Sequence, residues 1–376
     1  MKKIGIVTFF NNYNYGSVLQ CYALQEILKK LGVESIVLNQ IETGIRWKLK
    51  KFGRLCELFI SCIKYPSRWG VVYKSYVESK RSCEMLSYKT REGFEQFINK
   101  NINYRNISFE ELRKSKEFNG YLSGSDQVWG TSGYFLNPFM FLRFASKEKK
   151  FSYAASFGTD QCPRWYIRKI KKYISDYRYI SVREKAGYDL VKEMGYDSII
   201  HIDPTLLFSD VFWRKKTRDK KCKYLFLYFL NEPSELAIKH INNLIEYKKI
   251  NKVIATPYRF NNYRKINIQV ENVDLSPEEF LITVDNAQMI CTDSFHGAVF
   301  SIIFKKIFYS YYREYSHGMP QNNRINTLLE HFFLHEQLVK KEDNYNIPDY
   351  KSFDLIIDED RKKSIRYLQK IIGELR

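Results

Sequence analysis

The sequence holds no apolar run long enough to span a membrane. Its longest runs, such as 224–230, reach about a third of the roughly 20 residues that a spanning helix needs. The start, MKKIGIVTFF, has two lysines but no apolar stretch of leader length, so no signal peptide is expected and any membrane association should be peripheral. Metal-binding spacings are lacking as well. Seven cysteines stand at 21, 56, 62, 83, 162, 222 and 291, an odd number with no C-x-x-C pair. That pattern fits reduced thiols in the cytosol rather than a cluster or a disulfide framework. Cys21 and Cys291 fall in apolar stretches and should be buried. His331 and His335 are four apart, but no third ligand or HExxH pattern accompanies them, so no metal is expected. A Gly-rich dinucleotide fingerprint, fixed-period repeats and low-complexity tracts are all missing. So are the signatures of a helix-turn-helix, a zinc finger or an RNA-binding sheet, and nucleic acid is not an expected partner.

What remains is a chain of 376 residues, 44% hydrophobic, long enough for two domains with cores of their own. Sixty-one Lys and Arg face 42 acids, a net charge of +19. That excess suits an acidic partner, whether a polyanion, an anionic membrane or a substrate with phosphate and carboxylate groups. Aromatics make up 16%, with 29 tyrosines. Such rings suit sugars, although many must be core.

The organisation is α/β. A strand over 3–8 leads into a polar loop over 9–17 and then a helix to about Leu31. Leu24, Ile27, Leu28 and Leu31 line one face of it, Lys29 and Lys30 fill its last turn, and Gly32 ends it. A second strand at 33–38 completes a β-loop-α-β unit of a parallel sheet. The segment 46–91 differs, with twelve Lys or Arg against three acids, interleaved with aromatics such as Trp47, Trp69 and Tyr76. Leu55, Leu58, Phe59 and Cys62 could share one helical face. It reads either as a helical insertion with solvated charges or as a basic amphipathic surface for anionic lipid or a polyanionic acceptor. Strands then fit at 120–123, 150–155, 179–182 and 198–202, and helices at 164–173 and 185–194. Beyond a boundary near Phe208, strands fit at 223–229, 252–255, 288–292 and 306–310. Helices fit at 233–247, 277–284, 294–304 and 322–333, and a last one at 358–375. The expectation is two Rossmann-like domains, 1–208 with a basic helical insertion at about 46–100, and 209–376 ending in a helix. Ligands of such sheets sit at the carboxyl ends of the strands.

Three strand ends carry candidate chemistry. In Cys291-Thr292-Asp293-Ser294-Phe295-His296-Gly297-Ala298 a strand meets a helix, with Asp293 or Ser294 as the N-cap. His296 falls in the first turn, where free N–H groups and the helix dipole favour an anion, and Gly297 would let a ligand approach closely. The bland alternative is a histidine that only hydrogen-bonds nearby. Arg183 ends the strand in Ile180-Ser181-Val182-Arg183-Glu184, as a fork for carboxylate or phosphate or as a partner of Glu184. In Ser123-Gly124-Ser125-Asp126-Gln127-Val128-Trp129, small residues expose backbone amides, Asp126 is a candidate base, and Trp129 is expected in the core. Asn14 and Gly16 belong to the first loop. Asp203 precedes Pro204 and reads as a turn residue. The loop 312–318 could reach the cleft.

Taken together these segments resemble the polysaccharide pyruvyl transferase family. The matching pieces are Asn14-Tyr15-Gly16-Ser17-Val18-Leu19-Gln20 with Tyr22-Ala23-Leu24-Gln25, Gly124-Ser125-Asp126-Gln127-Val128-Trp129 and Tyr153-Ala154-Ala155-Ser156-Phe157-Gly158. Ser181-Val182-Arg183-Glu184, Asp203-Pro204-Thr205-Leu206-Leu207 and Thr292-Asp293-Ser294-Phe295-His296-Gly297 follow in family order. The resemblance implies two facing Rossmann-like lobes of the glycosyltransferase-B kind, the first on the acceptor side and the second on the donor side. It implies transfer of a pyruvyl group from phosphoenolpyruvate onto two hydroxyls of one sugar, in a polysaccharide or lipid-linked glycan precursor, with no cofactor. His296 and Arg183 match the family's donor-binding residues, with Asp126 as base and Asn14, Gly16, Ser125, Ser294 and Gly297 lining the substrate. Several members have Arg two residues before the His, where this chain has Ser294. Arg313 or Arg324 would then supply the missing cation. A glycosyltransferase of the same architecture with a nucleotide-sugar donor is the alternative reading.

Overall fold

The computed structural model describes residues 2–41, 45–70, 72–73, 86–131, 135–214, 223–256, 263–313 and 322–375, with backbone alone for 45–51. Among the described residues there are twelve short strands. Five form the first sheet, all parallel, in the order β3-β2-β1-β4-β5. They are β1 (Lys3–Val7), β2 (Glu34–Gln40), β3 (Tyr104–Ile107), β4 (Gly120–Ser123) and β5 (Lys150–Ser152). A parallel pair, β6 (Ser181–Val182) and β7 (Ile199–Ile200), joins it through bridges from Phe151 to Tyr179 and from Ala155 to Val182. The second sheet repeats the plan as β10-β9-β8-β11-β12, again all parallel. Its strands are β8 (Leu225–Tyr228), β9 (Val253–Ala255), β10 (Val270–Asn272), β11 (Met289–Thr292) and β12 (Ile307–Ser310).

The central strands are continuous apolar runs because both faces of each sheet are covered. Leu225 to Tyr228 and Met289 to Thr292 are buried throughout. The inner faces share one core. Ile4, Ile6 and Leu122 of the first sheet belong to the same cluster as Phe226, Ile290 and Phe308 of the second. The helices between them provide the join. Tyr15, which opens the helix Tyr15–Lys30, stacks on Phe280 at 4.4 Å and donates its hydroxyl to the Leu275 carbonyl at 2.8 Å. Each sheet keeps a separate cluster on its outer face.

Strands and helices fall where the sequence placed them, with informative differences. The edge strands β3 and β10 went unforeseen because Tyr104, Arg105 and Asn106 and then Glu271 and Asn272 are exposed, leaving no apolar run to read. β5 stops at Ser152, short of 155, as the chain turns aside with Ala154 at a φ of 46°. The last helix is Lys351–Glu374, longer at its start than expected, because Phe353 and Ile357 extend its buried stripe. It begins on the second lobe, where Lys305 pairs with Asp354 at 2.7 Å. It ends on the first, where Tyr367 donates to the Ser152 carbonyl at 2.8 Å and Glu374 pairs with Arg178. The insertion contains the helices Ile45–Lys64 and Tyr88–Asn101. Of the face expected there, Leu58 and Cys62 are buried, whereas Leu55 and Phe59 are exposed. No helix among the described residues is long and apolar enough to cross a membrane.

Candidate functional site

Two strand ends from different lobes meet at one carboxylate. Arg183 follows β6, and His296 lies in the first turn of the helix Phe295–Ile303 after β11. Between them is Asp203. Its Oδ2 accepts from Arg183 Nη1 at 2.7 Å and lies 3.4 Å from His296 Nε2. Its Oδ1 accepts from the Thr205 amide at 3.0 Å and the Thr205 hydroxyl at 2.7 Å. The turn role read from Asp203-Pro204 is therefore real, but it uses one oxygen. The other joins the site, which a short Asp-Pro motif gives no means of seeing. Burial by itself would raise the Asp203 carboxyl, yet His296 and Arg183 outweigh it and hold the group well below the usual carboxylate range.

Ser294 is the N-cap, its Oγ accepting from the Gly297 amide at 3.3 Å. Asp293 serves elsewhere, accepting from the Leu230 and Asn231 amides at 2.7 and 3.0 Å. Gly297 has no open space beside it. A Cβ there would meet Thr292 Oγ1 at 2.3 Å, so its missing side chain serves packing of the helix on β11, not the ligand approach expected for it. Gly16 belongs to the first helix rather than the first loop and abuts the His296 ring. Asn14 caps that helix by accepting from the Ser17 amide at 3.2 Å.

Asp126 stands at a φ of 64° after β4, accepts from Ser17 Oγ at 2.6 Å and lies 3.8 Å from Arg183 Nη2. Ser125 Oγ reaches Asp203 Oδ2 at 3.3 Å. Glu184 lies 3.7 Å from Arg183 Nε, too long for a hydrogen bond. Its Oε1 instead accepts from Ser156 Oγ at 2.8 Å and the Phe157 amide at 3.0 Å. Trp129 is fully buried, stacked on Phe141, and offers no platform for a sugar.

The cations converge. Arg183 stands 4.4 Å from the centroid of the Phe295 ring and Arg324 5.8 Å from it. Arg313 donates Nε to the Asp293 carbonyl at 3.1 Å, just before the same helix. Burial, then the charges of Arg183 and Arg313, bring the Arg324 guanidinium down to about 10. Arg183 is raised, because Asp203, Glu184 and Asp126 together outweigh the burial that would lower it. The Arg183 Nε and Nη2 atoms and the His296 Nε2 atom are buried without a hydrogen-bond partner. Buried donors in that state are matched to an acceptor with several oxygens. A cavity of about 480 Å³ adjoins Arg183, walled by Arg183, Asp203, Phe295 and Arg324, and further out by His201 and Lys363, with His296 behind Asp203 and outside its wall. The sequence pointed to Arg183, His296, Asp126, Ser125 and Gly16. The structure sets Arg183, His296 and Ser125 against Asp203, Asp126 beside Arg183 and Gly16 beside His296, while Arg324 lines the cavity next to Arg183.

Several solved structures are similar to the chain in fold. The UDP-GlcNAc 2-epimerase of Neisseria meningitidis bound to UDP-GlcNAc superposes with a TM-score of 0.50 at 10% identity, over 100% of this chain and 99% of that one. The corresponding epimerase of Methanocaldococcus jannaschii gives 0.47 at 12% identity over 99% of each chain. A heptosyltransferase of E. coli gives 0.40 at 10% identity, over 95% of this chain and 99% of that one. At 10% identity the likeness to the Neisseria enzyme speaks for a shared two-lobed fold alone. No curated protein matches the chain. The family model for polysaccharide pyruvyl transferase matches residues 14–315, which include every site residue above except Arg324 and Lys363. The chain belongs to the polysaccharide pyruvyl transferase family.

Proposed function

We propose that this protein transfers a pyruvyl group from phosphoenolpyruvate to two hydroxyls of one sugar in a cell-surface polysaccharide or its lipid-linked precursor, forming a cyclic ketal. The observation that carries the reading is the set of buried nitrogens without a hydrogen-bond partner on Arg183 and His296, with Arg324 near Arg183. A donor with both a carboxylate and a phosphate suits that cluster. Arg183 offers its planar fork to one anionic group, and Arg324, which also approaches the Phe295 ring, stands in for the arginine that Ser294 replaces.

The chemistry requires a proton at the methylene carbon of the donor and a sugar oxygen at its neighbour. One hydroxyl adds to that neighbouring carbon while the methylene becomes a methyl, giving a phosphorylated hemiketal. A second hydroxyl of the same sugar then forms the other carbon–oxygen bond. The bond to phosphate breaks, and the departing phosphate takes up the last hydroxyl proton. His296, at a helix start that favours developing negative charge, is assigned to the phosphate and to proton donation. Asp126, held by Ser17 at 2.6 Å, is assigned as the base for the attacking hydroxyl.

Thermal-shift titration tests the donor. Phosphoenolpyruvate should raise the melting temperature of the protein, and the shift should vanish in His296→Ala. A shift produced by nucleotide sugars and none by phosphoenolpyruvate would replace this reading with a glycosyltransferase.

A further inference from the structure

The insertion leaves a surface that the catalytic cleft does not use. One side of the helix Ile45–Lys64 is fastened to the helix Arg164–Ile174. Leu58 and Cys62 are buried there, Glu57 pairs with Lys169 at 3.0 Å, and Tyr65 packs on Trp165 with ring centroids 5.9 Å apart. Just beyond the helix, Arg68 is buried and donates to the Tyr166 hydroxyl at 3.2 Å. The segment is thus held in place by specific contacts. Its neighbouring face is apolar and bare. Phe52, Phe59, Ile60 and Ile63 each expose more than half of their surface, Trp69 extends the patch with its ring 6.1 Å from that of Phe59, and Tyr73, four residues on, is exposed as well. At 100° per residue, Leu55, Phe59, Phe52, Ile63 and Ile60 fall within an arc of about 140° beside the buried Leu58. Solvent-facing apolar side chains clustered so densely mark an interaction surface.

Charge decides what covers it. The helix carries Arg46, Lys48, Lys50, Lys51, Arg54 and Lys64 against the single acid Glu57. The helix it rests on adds Arg164, Arg168, Lys169, Lys171 and Lys172 with no acid at all. A second copy of the chain would bring the same positive charge to the contact, which disfavours a symmetric dimer through this face. Aromatic and branched apolar residues flanked by Lys and Arg, on a helix of low mean hydropathy, are the composition of a helix lying in the headgroup region of an anionic bilayer.

We infer that the Ile45–Lys64 helix, with Trp69 and Tyr73, docks the protein on anionic membrane surface, Phe52, Phe59 and Ile63 entering the interface while the Arg164–Ile174 helix faces the headgroups. The inference stands on the exposed face and its charge, and is independent of the donor proposed above.

Flotation of the full chain with two kinds of vesicle tests it: phosphatidylcholine alone, and phosphatidylcholine with phosphatidylglycerol. The protein should float with the anionic vesicles at least tenfold more than with the neutral ones, and less as salt rises. Phe52→Ser with Phe59→Ser should abolish flotation. Lys171→Glu with Lys172→Glu, on the other helix, should weaken it by roughly fivefold per charge or more. Circular-dichroism melts of both variants identify any loss that comes from unfolding. No flotation with the anionic vesicles, or flotation of both folded variants equal to that of the unaltered protein, would overturn the inference. So would a concentration-dependent dimer that is lost in Phe52→Ser with Phe59→Ser while flotation is absent.

Discussion

Gly16 and His296, from opposite lobes, sit so close that a methyl group on the former would lie 2.0 Å from Nδ1 of the latter and 2.3 Å from its Cγ. The imidazole is therefore wedged between the start of one helix and the Asp203 carboxylate. Gly16→Ala should push the ring away from Asp203. Alanine favours the helix by about 1 kcal/mol and overpacking opposes it by about 1–3 kcal/mol, so net stability should change little. Activity should fall by roughly 100-fold, the usual scale for displacing a reactive group by about 1 Å. Steady-state phosphate release beside a melting curve checks both halves. A large drop in melting temperature with unchanged turnover would refute the wedge.

Arg324 is buried and is repelled by Arg183 and Arg313. Arg324→Met should raise the stability of the unliganded protein, on the order of 1–3 kcal/mol, by removing a charge the fold accommodates at a cost. The same change should erase most of the thermal shift given by phosphoenolpyruvate. Opposite signs in the two readouts are the signature of a residue kept for binding. If the free protein is destabilised and the ligand shift persists, Arg324 belongs to the packing alone.

Asp203→Asn removes the charge that Arg183 meets at 2.7 Å. Breaking a buried pair in this way typically costs about 3–5 kcal/mol. The lower end is expected, since Glu184 and Asp126 remain 3.7 and 3.8 Å away. The pH dependence carries a further sign. The folded carboxyl is held down, so the stability it contributes is complete above the unfolded value of about 4 and is lost only as pH falls toward the depressed folded one. The variant should lack that strongly acidic limb in denaturant titrations below pH 4.

His201 governs a different window. Burial, then Lys363, lowers its imidazole to about 4, and it sits 2.8 Å from Ser181 Oγ and 4.4 Å from the Tyr367 ring. The unfolded chain takes up this proton below about pH 6.5 and the folded one resists until about 4. Stability should therefore be full above pH 6.5 and decline by about 3 kcal/mol toward pH 4. His201→Gln should flatten the loss between those limits, whatever its effect on absolute stability. An unchanged slope would show that another group governs it.

The alternation of strand and helix was readable because parallel strands buried on both faces are short apolar runs, and Leu225 to Tyr228 or Met289 to Thr292 could be little else. The edges β3 and β10 had no such signal. At the site, Arg183 and His296 declared themselves through position, each at a strand end before a helix. Asp203 did not. Its local chemistry with Thr205 accounts for it fully, and only the meeting of two lobes shows that its second oxygen links them. Arg324 stands in the first turn of its helix, outside the motif order; the sequence offered it only beside Arg313 as a replacement cation, and what marks it is its approach to Phe295, a contact across 29 residues of chain.

The inner faces of the two sheets share a single core, and the last helix is bonded to both lobes. Neither lobe can lose its packing without exposing part of the other. The chain should therefore melt in one cooperative transition, despite containing two five-stranded parallel sheets of the same strand plan. Donor binding in the cleft would then be felt by the whole molecule as one equilibrium.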